Sequence, residues 1–230
     1  MIDALRALAI VALTAAVPAG AAQSVDVSES PSASVSTEQA REAERSDAVA
    51  RVADWIIASH DNGSLPYIII DKRTAGLFLF DAQGKPLGEA PILIGVAIGD
   101  EATPGVGTKP LAEIGPAERT TPAGRFLARY GLAAARQRVL WVDYSTSVAL
   151  HPVIKGTKLE QRRARLLSPA RDDNRITFGC INVPAAFYSK NVRPLFRKKG
   201  GVVYVLPDTK LLEDVFPRLR VQPFPRPDPS

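Results

Sequence analysis

The sequence predicts a mainly β domain with a few peripheral helices. Two observations carry this expectation. Short β-branched and aromatic runs recur between Gly, Asn and Asp turns. Helical periodicity is confined to one segment ahead of those runs and two short ones late among them.

In chain order, residues 1–6 carry one basic side chain, Arg6, and residues 7–17 are almost unbroken apolar. The small residues Pro18-Ala19-Gly20-Ala21-Ala22 follow. That order reads as a secretory signal peptide over residues 1–22, cut near Ala21 or Ala22, with an uncleaved membrane anchor as the alternative. The apolar run is shorter than the roughly 20 residues that span a bilayer. Residues 22–36, rich in Ser, Val and Ala, read as a flexible tether. In residues 37–59, Ala48, Val49, Val52, Trp55 and Ile56 fall on one helical face, and Ser36 or Thr37 could cap the helix. Tether and helix together are expected over 23–63, ending at Asp61-Asn62-Gly63.

Strands are expected at 67–71, 76–81, 90–97, 126–130, 139–144, 148–151 and 201–206. Residues 99–122, full of Gly, Pro and Thr, read as a long loop. A helix is expected over 157–168, with Thr157 and Glu160 as a capping box and Pro169 as its stop. Another should open near Pro184 and end or kink before Pro194. This gives a catalytic-sized domain over 64–207 and a proline-rich tail over 208–230.

Composition narrows the function. Of 230 residues, 29 are Lys or Arg and 24 Asp or Glu, a formal charge of +5. On an exported protein that surplus suits anionic wall polymers or headgroups better than nucleic acid, although solubility alone would also account for it. Cys180 is the only cysteine, so no internal disulfide can form. A lone thiol in an oxidising compartment is expected to be either buried or used. One Cys and two His cannot make a zinc cluster of the usual spacing. A G-x-S-x-G elbow is absent. Gly105-Val106-Gly107-Thr108-Lys109 lacks phosphate-loop spacing. Asp172-Asp173 lies in a charged loop and reads as solvated.

The candidate chemistry centres on Thr177-Phe178-Gly179-Cys180-Ile181-Asn182, between a polar loop and the Pro184 helix. Placed there, a thiolate would gain from the helix dipole. Backbone N–H groups around Gly179 could face an oxyanion. A nucleophilic cysteine needs a base within hydrogen-bond reach. His60 ends the N-terminal helix, whereas His151 ends a strand, so His151 is the base by elimination.

These residues resemble the L,D-transpeptidase (YkuD-type) catalytic domain. That family carries a histidine, a gap, then Ser/Thr-x-Gly-Cys-hydrophobic-Asn/Arg, matched in order by His151 and residues 177–182. Thr121-Pro122-Ala123-Gly124-Arg125-Phe126 is similar to its Thr-Pro-x-Gly-x-Phe segment. The resemblance spans about residues 66–207 and implies an L,D-transpeptidase-like β-sandwich or β-barrel. There are two departures. Phe178 stands where many members have a second histidine, and the gap between His151 and Thr177 is long. The arginines of that insertion, including Arg162, Arg171 and Arg175, could hold stem-peptide carboxylates or could simply be solvated.

The resemblance implies peptidoglycan stem peptides as donor and acceptor, cross-linked through a thioester on Cys180. It further implies a periplasmic or wall-associated location, a backbone carbonyl orienting the histidine, inactivation by carbapenems, and no cofactor or metal. Phe178, Gly179 and Cys180 would supply oxyanion donors, and Thr177 and Asn182 would fix the turn. A monomer is expected. Two rivals are a peptidase that uses water as acceptor, on the same stems or on wall-anchored protein links, and a non-catalytic wall-binding module.

Overall fold

The computed structural model describes residues 46–133 and 137–221. The expected leader, the tether and the helical residues before Ser46 lie outside the described residues, as does the end of the tail from 222. Among the described residues no helix is long and apolar enough to cross a membrane.

The architecture is mainly β. Among the described residues ten strands form: β1 (Tyr67–Asp71), β2 (Gly76–Phe80), β3 (Pro86–Pro91), β4 (Ile94–Gly95), β5 (Gly124–Leu132), β6 (Arg138–Asp143), β7 (Val148–Pro152), β8 (Arg175–Thr177), β9 (Ile181–Val183) and β10 (Gly201–Val205). Eight of them make one sheet in the order β3-β2-β1-β10-β5-β6-β7-β9, and β4 pairs with β8 separately. The large sheet nearly closes on itself. Leu93, just past β3, exchanges two backbone hydrogen bonds with Asn182 on β9, the strand at the opposite edge (2.9 and 2.8 Å).

Closure explains why β1, β2 and β10 read as unbroken apolar runs: both of their faces are covered. Ile68, Ile70, Leu77 and Leu79 join Leu140, Leu150, Ile181 and Val183 in one core. Tyr67, Ile69, Phe78, Phe80 and Tyr204 face the other way, against helix α1 (Asp47–Ser59). Trp55 of α1 meets Tyr204 edge-on at 6.0 Å. Each such buried side chain contributes about 1.5–3 kcal/mol.

Several expectations change. Helix α1 starts at Asp47 because Ser46 is extended (ψ 160°) and accepts the Val49 N–H, which makes Ser46 its cap; Ser36 and Thr37 lie outside the described residues. The chain after Pro207 is not only a tail. Helix α5 (Leu212–Val215) and the turn Pro217–Val221 bring Phe216 and Leu219 into the α1 core. The strand expected over 90–97 is interrupted between β3 and β4. In the insertion, Thr157 and Glu160 do make the reciprocal capping bonds, but around a turn. Gln161 is left-handed (φ 44°), which delays helix α2 to Arg162–Leu166. Pro194 does not end the late helix. α3 (Ala185–Phe187) passes through a π turn (Tyr188–Val192) into α4 (Arg193–Phe196). The wider turn seats Pro194 at a first-turn position, where its missing N–H costs little.

One buried ion network ties the ends of the fold together. Lys72 Nζ, inaccessible to solvent, donates to Asp100 (3.0 Å), Gly99 O (2.6 Å) and Thr121 O (2.9 Å), and lies 3.3 Å from Asp208. Burial pushes the Asp100 carboxyl up. Backbone N–H groups of Asp208, Lys210 and Thr209 and the Thr209 hydroxyl outweigh that and hold it well below the usual carboxylate range.

Candidate active site

β7 and β9 run parallel, with Leu150 opposite Ile181, His151 opposite Asn182 and Pro152 opposite Val183. Leu150, Ile181 and Val183 point into the core. Strand alternation therefore sends His151, Asn182 and Cys180 to the other face. Cys180 is half-buried. Its sulfur lies 3.7 Å from Ser147 O and takes a hydrogen bond from the Ala149 backbone. His151 stands one pleat further along β7 than Ala149, the residue beside Cys180.

Both ring nitrogens of His151 are engaged. Nδ1 lies 2.9 Å from Pro152 O and Nε2 lies 3.2 Å from Asn182 Nδ2. The structure thus brings Cys180 and His151 to one face. Among the described residues, however, no hydrogen bond joins sulfur to imidazole. Such bonds are often long in the free enzyme and tighten once substrate is bound. Burial pushes the Cys180 thiol up; the Ala149 bond and the charge of Arg162 pull it back only in part. Burial also pushes His151 below its ordinary value. The Pro152 carbonyl opposes that fall and Arg162 adds to it.

The turn that presents Cys180 is held by two threonines. Thr177 Oγ1 donates to Cys180 O (2.6 Å) and accepts the Gly179 N–H (3.2 Å). Thr121 Oγ1 donates to Gly179 O (2.8 Å) and accepts the Gly95 N–H (2.9 Å). Gly179 sits at φ 121°, and a Cβ there would lie 2.7 Å from Thr120 O, so only glycine fits.

Two sequence expectations are corrected here. Cys180 leads into β9 rather than a helix, because Ile181–Val183 pairs with β7, so it does not sit at the helix N-terminus that was expected. The Gly179 N–H is spent on Thr177, which leaves Phe178 and Cys180 as the amides of the turn open to the expected oxyanion role.

The arginines also sort out. Arg175 pairs with Asp208 (2.6 Å) and serves the Lys72 network. Arg171 opens the turn Arg171–Asn174 and has its own interaction. Arg162 reaches the site but points at Asn182 (3.1 Å) and Glu160. Sequence reasoning missed Arg119, whose guanidinium lies 3.9 Å over the Phe178 ring while two of its nitrogens donate to Ile114 O. It also gave Thr121 no role beyond its place in a matching segment. Among the described residues no group of three or more His, Cys, Asp or Glu is gathered as a metal site would need.

No family model matches the chain, and no curated protein matches it. Solved structures resemble it over part of its length. An L,D-transpeptidase from Xylanimonas cellulosilytica is 16% identical over 63% of this chain and 62% of its own, with a TM-score of 0.37. The catalytic domain of the E. faecium L,D-transpeptidase is 18% identical over 62% of this chain and 98% of its own, with a TM-score of 0.35. The helical cell shape determining protein Pgp2 from Campylobacter jejuni is 15% identical over 70% of this chain and 57% of its own, with a TM-score of 0.41. These TM-scores are low, so the weight of any functional reading falls on the side chains described above.

Proposed function

We propose that the protein is an exported L,D-transpeptidase that cross-links peptidoglycan stem peptides through a thioester on Cys180. The observation that carries this reading is the placement of the sole cysteine, part-exposed on a strained glycine turn, on the same sheet face as a histidine whose Nδ1 is bound to a backbone carbonyl.

In the proposed reaction His151 Nε2 takes the Cys180 proton as sulfur attacks a stem carbonyl. The amide nitrogen leaves, protonated by His151, and a thioester remains. The amine of a second stem then attacks. Its proton passes to His151, the new amide forms, and the thiol is restored. The Phe178 and Cys180 amides would hold the oxyanion, each contributing on the order of 3 kcal/mol. The thiol's raised pKa supports a base-assisted attack over a standing thiolate.

Purified tetrapeptide muropeptides test the proposal. Dimers formed by the wild type and lost in Cys180→Ala are expected. Trimmed monomers alone would make water the acceptor and the protein a peptidase. No turnover of any kind would overturn the enzymatic reading.

A further inference from the structure

We infer that Arg162 is the positioning residue of this site: gripped by Glu160, it orients Asn182 so that His151 is fixed as the neutral imidazole protonated on Nδ1. This rests on the Cys180–His151 reading above and concerns how the pair is prepared.

The direction of each hydrogen bond follows from the two ends of a chain of contacts. A guanidinium can only donate. Arg162 Nη1 is 3.1 Å from Asn182 Oδ1, so the oxygen of that amide must face the arginine. The amide nitrogen is thereby turned to His151 Nε2, at 3.2 Å, and it too can only donate. Nε2 must then carry its lone pair. At the other end, the Pro152 carbonyl can only accept, so Nδ1 carries the hydrogen. Every link from Arg162 to Pro152 has one permitted direction.

Protonating His151 would set Nε2–H against the Asn182 NH2 group. The amide cannot turn over to relieve that clash while its oxygen is held by Arg162. The relay therefore keeps a base lone pair on Nε2 and opposes a resting imidazolium. Nε2 takes the thiol proton once it exchanges Asn182 for sulfur.

Arg162 is built for this position and not for substrate. It is 9% exposed, and Nε, Nη1 and Nη2 all have partners. Glu160 grips it through both carboxylate oxygens (3.2 and 3.0 Å) and is itself tied to the Thr157 N–H. Gly156 makes room: a Cβ there would lie 2.0 Å from Glu160 and 2.9 Å from Arg162 Nε. The charged and titratable groups around the pair are Arg162 and Glu160 from the insertion, Cys180 and His151 themselves, and Arg119 beyond the Phe178 ring. The long gap between His151 and Thr177 is thus explained by what it delivers, a buried cation behind Asn182.

The test uses the full chain labelled with [15N]histidine, in a His60→Gln background that leaves one histidine to observe. Ring 15N shifts report tautomer and titration together. The expected wild-type result is an Nδ1–H tautomer with unprotonated Nε2. In Arg162→Met the two tautomers should mix and the titration midpoint should rise. Iodoacetamide alkylation of Cys180 at pH 7 should slow about tenfold, since the cation lowers the thiol pKa as well. Arg162→Lys should restore much of both. Asn182→Asp is the second variant, should Arg162→Met not fold: its carboxylate favours the imidazolium, so the midpoint should rise further. An unchanged tautomer and midpoint in a folded Arg162→Met or Asn182→Asp protein overturns the inference. A wild type with the expected tautomer but no thioester chemistry would instead defeat the proposed function and leave the relay standing.

Discussion

Thr121→Val removes a single oxygen and keeps the side chain's shape. In the native fold that oxygen satisfies two buried groups at once, the Gly95 N–H at 2.9 Å and the Gly179 carbonyl at 2.8 Å, and Thr121 is 1% exposed. Water cannot replace it without a cavity. Each of the two orphaned groups costs about 1–3 kcal/mol, and the added methyl returns on the order of 1 kcal/mol, so the net loss should be about 1–5 kcal/mol. Urea unfolding at 25 °C followed by tryptophan fluorescence measures it as a fall in midpoint at constant slope. Gly179 O belongs to the turn that presents Cys180, so alkylation of Cys180 should also change under native conditions. A loss below about 0.5 kcal/mol would refute the claim that Thr121 holds this turn, because surface-like substitutions fall in that range.

Lys72→Met should cost about 3–5 kcal/mol in the same assay, since it leaves Asp100 and Asp208 facing each other without their shared cation; a neutral result would mean the backbone N–H groups on Asp100 suffice alone. The alkylation rate of Cys180 in the free protein should lie below that of an unperturbed cysteine at pH 7 and keep rising past pH 9. Burial raises the thiol pKa and so shrinks the thiolate fraction at neutral pH. A plateau below pH 8 would contradict that environment.

The strands were legible because the physics that makes them is local. β1 and β2 are β-branched and aromatic runs bounded by turn residues, and their doubly buried faces appear in the sequence as the absence of alternation. Cys180 and His151 were legible as candidates because one cysteine and two histidines leave few choices. What the sequence hid was non-local. β9 is three residues long and exists only because β7 and Leu93 flank it, so a helix terminus looked equally reasonable beside Pro184. Gln161 entering a left-handed conformation has no sequence signature, yet it sets where α2 begins and hence where Arg162 points. The Arg162–Asn182 and Arg119–Phe178 contacts join residues 20 and 59 positions apart, and no periodicity reports such pairs. Arg175 looked available for substrate because Asp208 seemed to belong to a tail.

The most direct test is intact-protein mass spectrometry after incubation with a carbapenem, followed by peptide mapping. The account predicts one stoichiometric adduct on Cys180, absent in Cys180→Ala and slowed in His151→Gln. Equal labelling of wild type and Cys180→Ala, or no adduct on a folded wild type, would contradict it.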